Sequence, residues 1–363
     1  MFHPHYPLLL SSGPAATLFL HHIAPSAPAP NPLLTSLHIR RTPIHTSAFA
    51  PPTGNKIYAA GRRRFFHIWD LDTGKVDKVN STADRREEQK SMERFKVSPC
   101  GRFVGLVGSS RKGGGLINVL DATTAQWVAQ VRVDGRGGVA DFAWWSDGEG
   151  LTVASKNGEV SEWDGRLNRV VARWMDAGAV GTTVLRLGGR SGRTQLGGDR
   201  WVAIGSSSGV VNVYDRREWA AAYAAASKSD DAASAIPRNP TPVRALDQLT
   251  TPISHVEFAP DGQFFVMASR WKRDALRIGR CFLLYRSLQA NQSSPSAVVH
   301  RVPQLADVEY AAGPHLVGGH LAQLGAAGGG QRAGADPAVG DPGVKVMLHR
   351  IDQMNIIDTS RSN

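Results

Sequence analysis

The chain has 363 residues, with Lys+Arg 42 against Asp+Glu 31, a formal net charge of +11, Gly 38, Pro 21 and Cys 2. A length beyond the roughly 250–300 residues at which one core stops growing calls for two domains or for a repeat architecture that grows by addition. Two cysteines exclude a disulfide framework and a four-cysteine zinc site and point to a reducing, intracellular compartment; no run of 18 apolar residues reads as a membrane-spanning helix, and no Lys or Arg precedes Arg40 to start a secretory leader.

Along the chain, residues 1–45 read as the end of one repeat unit, with a strand over 17–23 followed by a linker over 24–32. From residue 46 to 278 the unit recurs. Its endings are Ile68-Trp69-Asp70, Val119-Leu120-Asp121, Glu162-Trp163-Asp164 and Val213-Tyr214-Asp215, about 43 to 51 residues apart. Turn signals of one type accompany them: Pro99-Cys100-Gly101, Ser146-Asp147-Gly148 and Pro260-Asp261-Gly262. Alternation of apolar and polar residues predicts strands over 95–97, 103–107, 116–120 and 127–133 in one unit, and over 140–145, 151–154, 159–163 and 170–174 in the next. Four short strands cannot bury their own faces, so neighbouring sheets must stack around an axis, which is the logic of a β-propeller. Residues 217–240, with Trp219 and an alanine run, read as a loop insertion carrying a short helix. After Ile278 the alternation fades, and the segment 279–363 reads as an aberrant or disordered tail.

With these strings in view, the chain resembles the family of U3 small nucleolar RNA-associated protein 18, a WD-repeat protein of the small-subunit processome. The resemblance rests on Gly61-Arg62-Arg63-Arg64-Phe65-Phe66-His67-Ile68-Trp69-Asp70, on Arg94-Phe95-Lys96-Val97-Ser98-Pro99 and on Gly205-Ser206-Ser207-Ser208-Gly209-Val210-Val211-Asn212-Val213-Tyr214-Asp215. It continues through Asn239-Pro240-Thr241-Pro242-Val243 and Thr250-Thr251-Pro252-Ile253-Ser254 to Ser269-Arg270-Trp271-Lys272-Arg273-Asp274-Ala275-Leu276-Arg277. It implies an all-β, WD40-type propeller of seven blades, of which about five and a half are represented, truncated at the N-terminus. It further implies nucleolar residence and a non-enzymatic scaffold acting in pre-18S rRNA processing. The implied partners are the U3 ribonucleoprotein, pre-rRNA and other WD-repeat proteins of the processome. Under one permitted choice of codons, residues 299–344 read one nucleotide later complete blade six and add a seventh. Residues from Gly279 to about Ser296 are therefore expected to be a translated intron, and the remainder a frame-shifted reading. A peptide reader or ubiquitin-ligase adaptor is the alternative function.

The candidate residues divide by chemistry. Asp70, Asp121, Asp164 and Asp215 occur once per unit, so they read as acceptors in turns and not as the converging carboxylate pair that hydrolysis needs. Trp69, Trp163 and Tyr214 read as aromatics that pack the blades. The glycine-rich segments 111–115 and 188–194 lack the spacing of a phosphate-binding loop. His3, His5, His21 and His22 have no acidic or Cys companion at ligand spacing and read as part of a frayed terminus. No catalytic residue, metal or cofactor is expected. Basic clusters remain: Arg40-Arg41, Arg62-Arg63-Arg64, Arg85-Arg86, Arg216-Arg217 and the set Arg270, Lys272 and Arg273. All but +1 of the formal +11 falls within residues 1–278, and a basic folded body attracts polyanions through phosphate contacts. Arg62, Arg63 and Arg64 are the first candidates for RNA or partner binding because Phe65 and Phe66 follow them.

Overall fold

The computed structural model describes residues 1–26, 30–80, 89, 91–109, 115–133, 137–226 and 236–281. The expected translated intron and frame-shifted reading lie outside the described residues, except that Gly279 and Arg280 complete a strand and Cys281 is buried behind it.

Six antiparallel sheets follow one another in a ring, forming a WD40-type β-propeller. The first holds β1 (Leu8–Ser12), β2 (Thr17–His22) and β3 (Leu33–His38), and the second β4 (Thr46–Phe49), β5 (Lys56–Ala60), β6 (Phe65–Asp70) and β7 (Val76–Asn80). The third holds β8 (Phe95–Val97), β9 (Phe103–Ser109), β10 (Gly115–Asp121) and β11 (Trp127–Val133). The fourth holds β12 (Val139–Trp144), β13 (Gly150–Ser155), β14 (Glu159–Asp164) and β15 (Arg169–Met175). The fifth holds β16 (Thr182–Arg190), β17 (Asp199–Ser206), β18 (Val211–Asp215) and β19 (Arg244–Leu246), and the sixth β20 (His255–Phe258), β21 (Phe264–Ala268) and β22 (Leu276–Arg280). Four complete sheets thus stand between two of three strands.

The first strands of the third and fourth sheets each end in a tight turn whose glycine has positive φ: Gly101 at +73°, Gly148 at +75°. Gly262, at +68°, does the same in the sixth sheet. Each donates its N–H back three residues, to the carbonyls of Ser98, Trp145 and Ala259. That conformation costs a side-chain-bearing residue energy and glycine little, so the three turn signals of the sequence set these hairpins.

Two elements near the N-terminus differ from the sequence reading. The segment read as one strand and a linker carries three strands, because β1 and β3 bury little on one face and show almost no period-two pattern. Residues 1–3 are also fixed and do not fray: Phe2 bridges Leu9, and the His3 ring sits 8% exposed against Phe49, its Nδ1 accepting the His5 and Tyr6 amides.

Apolar residues from facing sheets fill the five intervals between successive sheets. Leu18 and Ile57 lie between the first two sheets, Phe66 and Leu106 between the next two, Phe142 and Leu151 between the third and fourth. Trp174 and Val202 fill the fourth interval, Val213 and Phe265 the fifth. The 217–240 insertion begins with α1 (Arg217–Ala226). Alanine gives this helix its propensity, Glu218 suits the positive N-terminal end, and Trp219, Ala220 and Tyr223 are buried against Trp174 and Tyr214.

Candidate functional site

The repeated endings carry the acidic residues. Each Asp lies at the far end of the third strand of its sheet and accepts amides of its own turn. Asp70 Oδ1 takes the Asp72 and Thr73 N–H groups, and Asp121 Oδ1 those of Thr123 and Thr124. Asp164 Oδ1 accepts from Arg166 and Leu167, and Asp215 Oδ1 from Arg217 at the start of α1. The Thr73 amide above all, with that of Asp72, holds the Asp70 carboxyl below the usual range, and the Thr124 and Thr123 amides do the same for Asp121. Carboxylates bound this way are committed to turns. Trp69, Trp163 and Tyr214 each pack into the interface with the preceding sheet, as Leu120 does in the third sheet. Tyr214 also donates to Asp176 Oδ1 at 2.5 Å, and burial, then that carboxylate, raises the phenol.

A second polar system was not visible in the sequence. Lys96 in β8, Asp141 in β12, Arg186 in β16 and Glu257 in β20 all lie on first strands, which face one another around the axis. Lys96 Nζ lies 2.7 Å from Asp141 Oδ1, Arg186 Nη1 2.9 Å from Asp141 Oδ2, and Arg186 Nε 3.3 Å from Glu257 Oε2. Charges therefore alternate + − + − across four sheets. The only sequence signal is a charged residue shortly before the hairpin turn, as in Lys96-Val97-Ser98-Pro99 and Glu257-Phe258-Ala259-Pro260. Among the described residues no cluster of His, Cys, Asp and Glu is arranged to hold a metal ion.

Exposed cations occur at both ends of the propeller and form runs at one of them. The chain crosses from sheet to sheet at one end, and the second hairpin of each sheet turns there too. Printed contacts tie these loops together: Ser207 N–H donates to the Gly181 carbonyl, Lys156 N–H to that of Gly138, and Arg270 N–H to Ser254 Oγ. At this crossover end lie exposed Arg40, Arg41, Arg62, Arg63, Arg64, Lys156, Arg270, Lys272 and Arg273. Gly61 is the hinge of the first group, since a Cβ there would stand 2.1 Å from the Pro43 carbonyl oxygen. Only glycine lets the 61–64 turn press against the 39–45 crossover, which carries Arg40 and Arg41. Glu93 partners Arg62 at 3.0 Å. At the opposite end Lys75 pairs with Asp77, Arg102 with Glu149, Arg166 with Asp147 and Arg217 with Asp215, while Lys56, Arg190 and Arg193 are exposed there as well.

Two expectations about the basic clusters change. Arg216 is fully buried, bound to Glu162 at 3.0 Å, and Arg217 is tied to Asp215 at 2.7 Å, so that pair presents no free cationic surface. Phe66, 3% exposed, belongs to the core, and Lys78 Nζ sits 4.0 Å over the Phe65 ring, so neither is a stacking surface beside Arg64. Strand alternation explains both, because it turns Phe66 inward and lays Phe65 under a cross-strand lysine. Arg85 and Arg86 lie outside the described residues. The aromatic that is exposed among cations is Trp271, 58% accessible.

No family model matches the chain. Individual relatives do. It is 36% identical over 276 residues to the probable U3 small nucleolar RNA-associated protein 18 of Schizosaccharomyces pombe, covering 76% of this chain and 47% of that protein. It is 37% identical over 307 residues to U3 small nucleolar RNA-associated protein 18 of Saccharomyces cerevisiae, covering 76% and 48%. Over its propeller the chain is a homologue of U3 small nucleolar RNA-associated protein 18. The Arabidopsis thaliana homologue of that protein matches at 25% identity over 299 residues, covering 82% of this chain and 48% of its own. The chain spans about half the length of these curated relatives.

Proposed function

We propose that this chain, like the U3 small nucleolar RNA-associated protein 18 relatives, is a non-catalytic propeller scaffold of the U3 small nucleolar ribonucleoprotein. It acts in pre-18S rRNA processing within the nucleolar small-subunit processome. The observation that carries this is the 36–37% identity to the two fungal proteins, whose names place them with U3 small nucleolar RNA. The geometry supports it in kind. A ring of packed sheets is a rigid body, and its crossover end carries the cationic runs Arg40-Arg41, Arg62-Arg63-Arg64 and the set Arg270, Lys272 and Arg273. Several weak phosphate and protein contacts on such a body add up to firm association.

Co-purification from cell extract tests the reading. Tagged chain should enrich U3 small nucleolar RNA over an untagged control, and its depletion should raise uncleaved 18S precursors. Enrichment of cullin components without U3 RNA would overturn the assignment in favour of an adaptor. The cationic end has its own test. With Arg40, Arg41, Arg63 and Arg64 changed together to alanine, single-stranded RNA binding should weaken and the slope of log K against log salt should flatten by up to about 3 units. An unchanged slope would remove the crossover end from RNA contact.

A further inference from the structure

The turn between β21 and β22 carries the exposed Trp271, flanked by Arg270, Lys272 and Arg273. Here the Arg270 guanidinium lies over the indole at 5.1 Å, and Trp271 is 58% exposed. Lys272 and Arg273 are exposed, with no side-chain partner among the described residues. The turn is also built firmly. Ser269 N–H donates to the Ala275 carbonyl at 2.9 Å, Arg270 N–H to Ser254 Oγ at 3.0 Å, Trp271 N–H to Ser269 Oγ at 3.4 Å, and Thr251 Oγ1 to Ser269 Oγ at 2.7 Å. Asp274, at φ +57°, closes it. The indole is thus held at the crossover end by backbone anchors on two loops, with little freedom left to lose on binding.

We infer that Trp271 is a stacking platform for an unpaired base of single-stranded RNA, with Arg270, Lys272 and Arg273 holding the adjoining phosphates. A π-face accepts any base, and an arginine already against the indole strengthens the stack while its charge faces the backbone. A duplex offers no free base face, so it would engage the cations only. An acidic peptide would also use the cations and leave the indole idle. The inference rests on the processome reading only in taking RNA as the nucleic acid.

The test uses the full chain and fluorescence anisotropy with an oligouridylate of about 12 nucleotides, a duplex RNA of the same length and a polyglutamate peptide. Trp271→Ala should weaken oligouridylate binding about 5- to 150-fold and leave the salt slope and duplex binding unchanged. Trp271→Phe should restore most of the loss. Lys272→Ala with Arg273→Ala should flatten the salt slope by about 1.4 units on the oligouridylate and about 1.8 units on the duplex. Equal binding of oligouridylate by wild type and Trp271→Ala, an equal loss on the duplex, or polyglutamate bound as tightly as oligouridylate would overturn the inference. Enrichment of U3 RNA by a Trp271→Ala chain that has lost oligouridylate binding supports both readings. Loss of U3 enrichment in the wild-type chain, with Trp271-dependent oligouridylate binding intact, overturns only the processome assignment.

Discussion

Replacing Glu162 with alanine is expected to lower the stability of the propeller by about 3–5 kcal/mol, measured by denaturant unfolding at neutral pH. Glu162 Oε2 accepts three donors at once: Thr152 Oγ1 at 2.6 Å, Arg216 Nη2 at 3.0 Å and Trp145 Nε1 at 3.2 Å. Both members of the ion pair are 0% exposed. Removing the carboxylate strands the guanidinium in the interface between the fourth and fifth sheets. Only Asp199, 3.7 Å away, and the Leu196 carbonyl at 3.1 Å would then face it. Burial already pushes the Asp199 carboxyl up, against the pull of Arg216, so this acid is a weak substitute. The buried Thr152 hydroxyl loses its acceptor as well, at a cost of about 1–3 kcal/mol, while Trp145 Nε1 keeps Thr152 Oγ1 at 3.2 Å. The double change Glu162→Leu with Arg216→Met removes charge and counter-charge together, and it should cost clearly less than the sum of the two single changes. A loss under about 1 kcal/mol for Glu162→Ala would show that the network contributes little.

The second large effect is expected at Asp141. Asp141→Ala should destabilise by about 2–3 kcal/mol, less than for a fully enclosed pair, because its partners Lys96 and Arg186 keep side-chain exposures of 29% and 27%. The change removes the only anion between two cations and the acceptor of the Leu185 amide at 3.1 Å. Lys96 then makes the axis sensitive to pH. Burial first, and the nearby Arg186 second, push its ammonium down to about 8 from an ordinary 10.5, although Asp141 opposes the change. The folded chain therefore releases this proton at lower pH than the unfolded chain. Between about pH 8 and 10.5 the unfolded state binds more protons, so this residue adds stability as pH rises through that window. Below it both states are protonated and the cost of enclosing the charge is fully present. Lys96→Met should abolish that contribution, read as the difference between wild-type and variant unfolding midpoints from pH 7.5 to 10.5. Parallel midpoint curves would refute it.

Both networks join residues of different sheets, and this decides what was legible beforehand. The strands of the third sheet lie within about two residues of their predicted limits, and β11 matches them at Trp127 and Val133. Turn chemistry and period-two burial are local, so a single sequence displays them. β1 and β3 escaped because a strand with little burial contrast leaves no alternation to read. The RNA candidates divide in the same way. A run such as Arg62-Arg63-Arg64 is visible as charge, yet exposure and partners are not. Arg216 looks as basic as Arg273 on paper, and in the structure it is the most deeply enclosed cation of the fourth interface. Trp271 passes in the sequence for one more core tryptophan, and only its position on a hairpin tip exposes it.

The amino-acid sequence by itself determined the repeat, the turn glycines, the all-β class and the kinship with U3 small nucleolar RNA-associated protein 18, because each rests on residues near one another in the chain. Tertiary structure alone decided which charges meet and which stay free. Lys96 and Asp141 are 45 residues apart and Arg186 and Glu257 71, and no local pattern records such distances. Packing of each sheet against the next turns that separation into contact. It gathers matched charges on the axis, and it sets the Arg62-Arg63-Arg64 run and the set Arg270, Lys272 and Arg273, with Trp271 among them, at the end where the chain crosses from sheet to sheet.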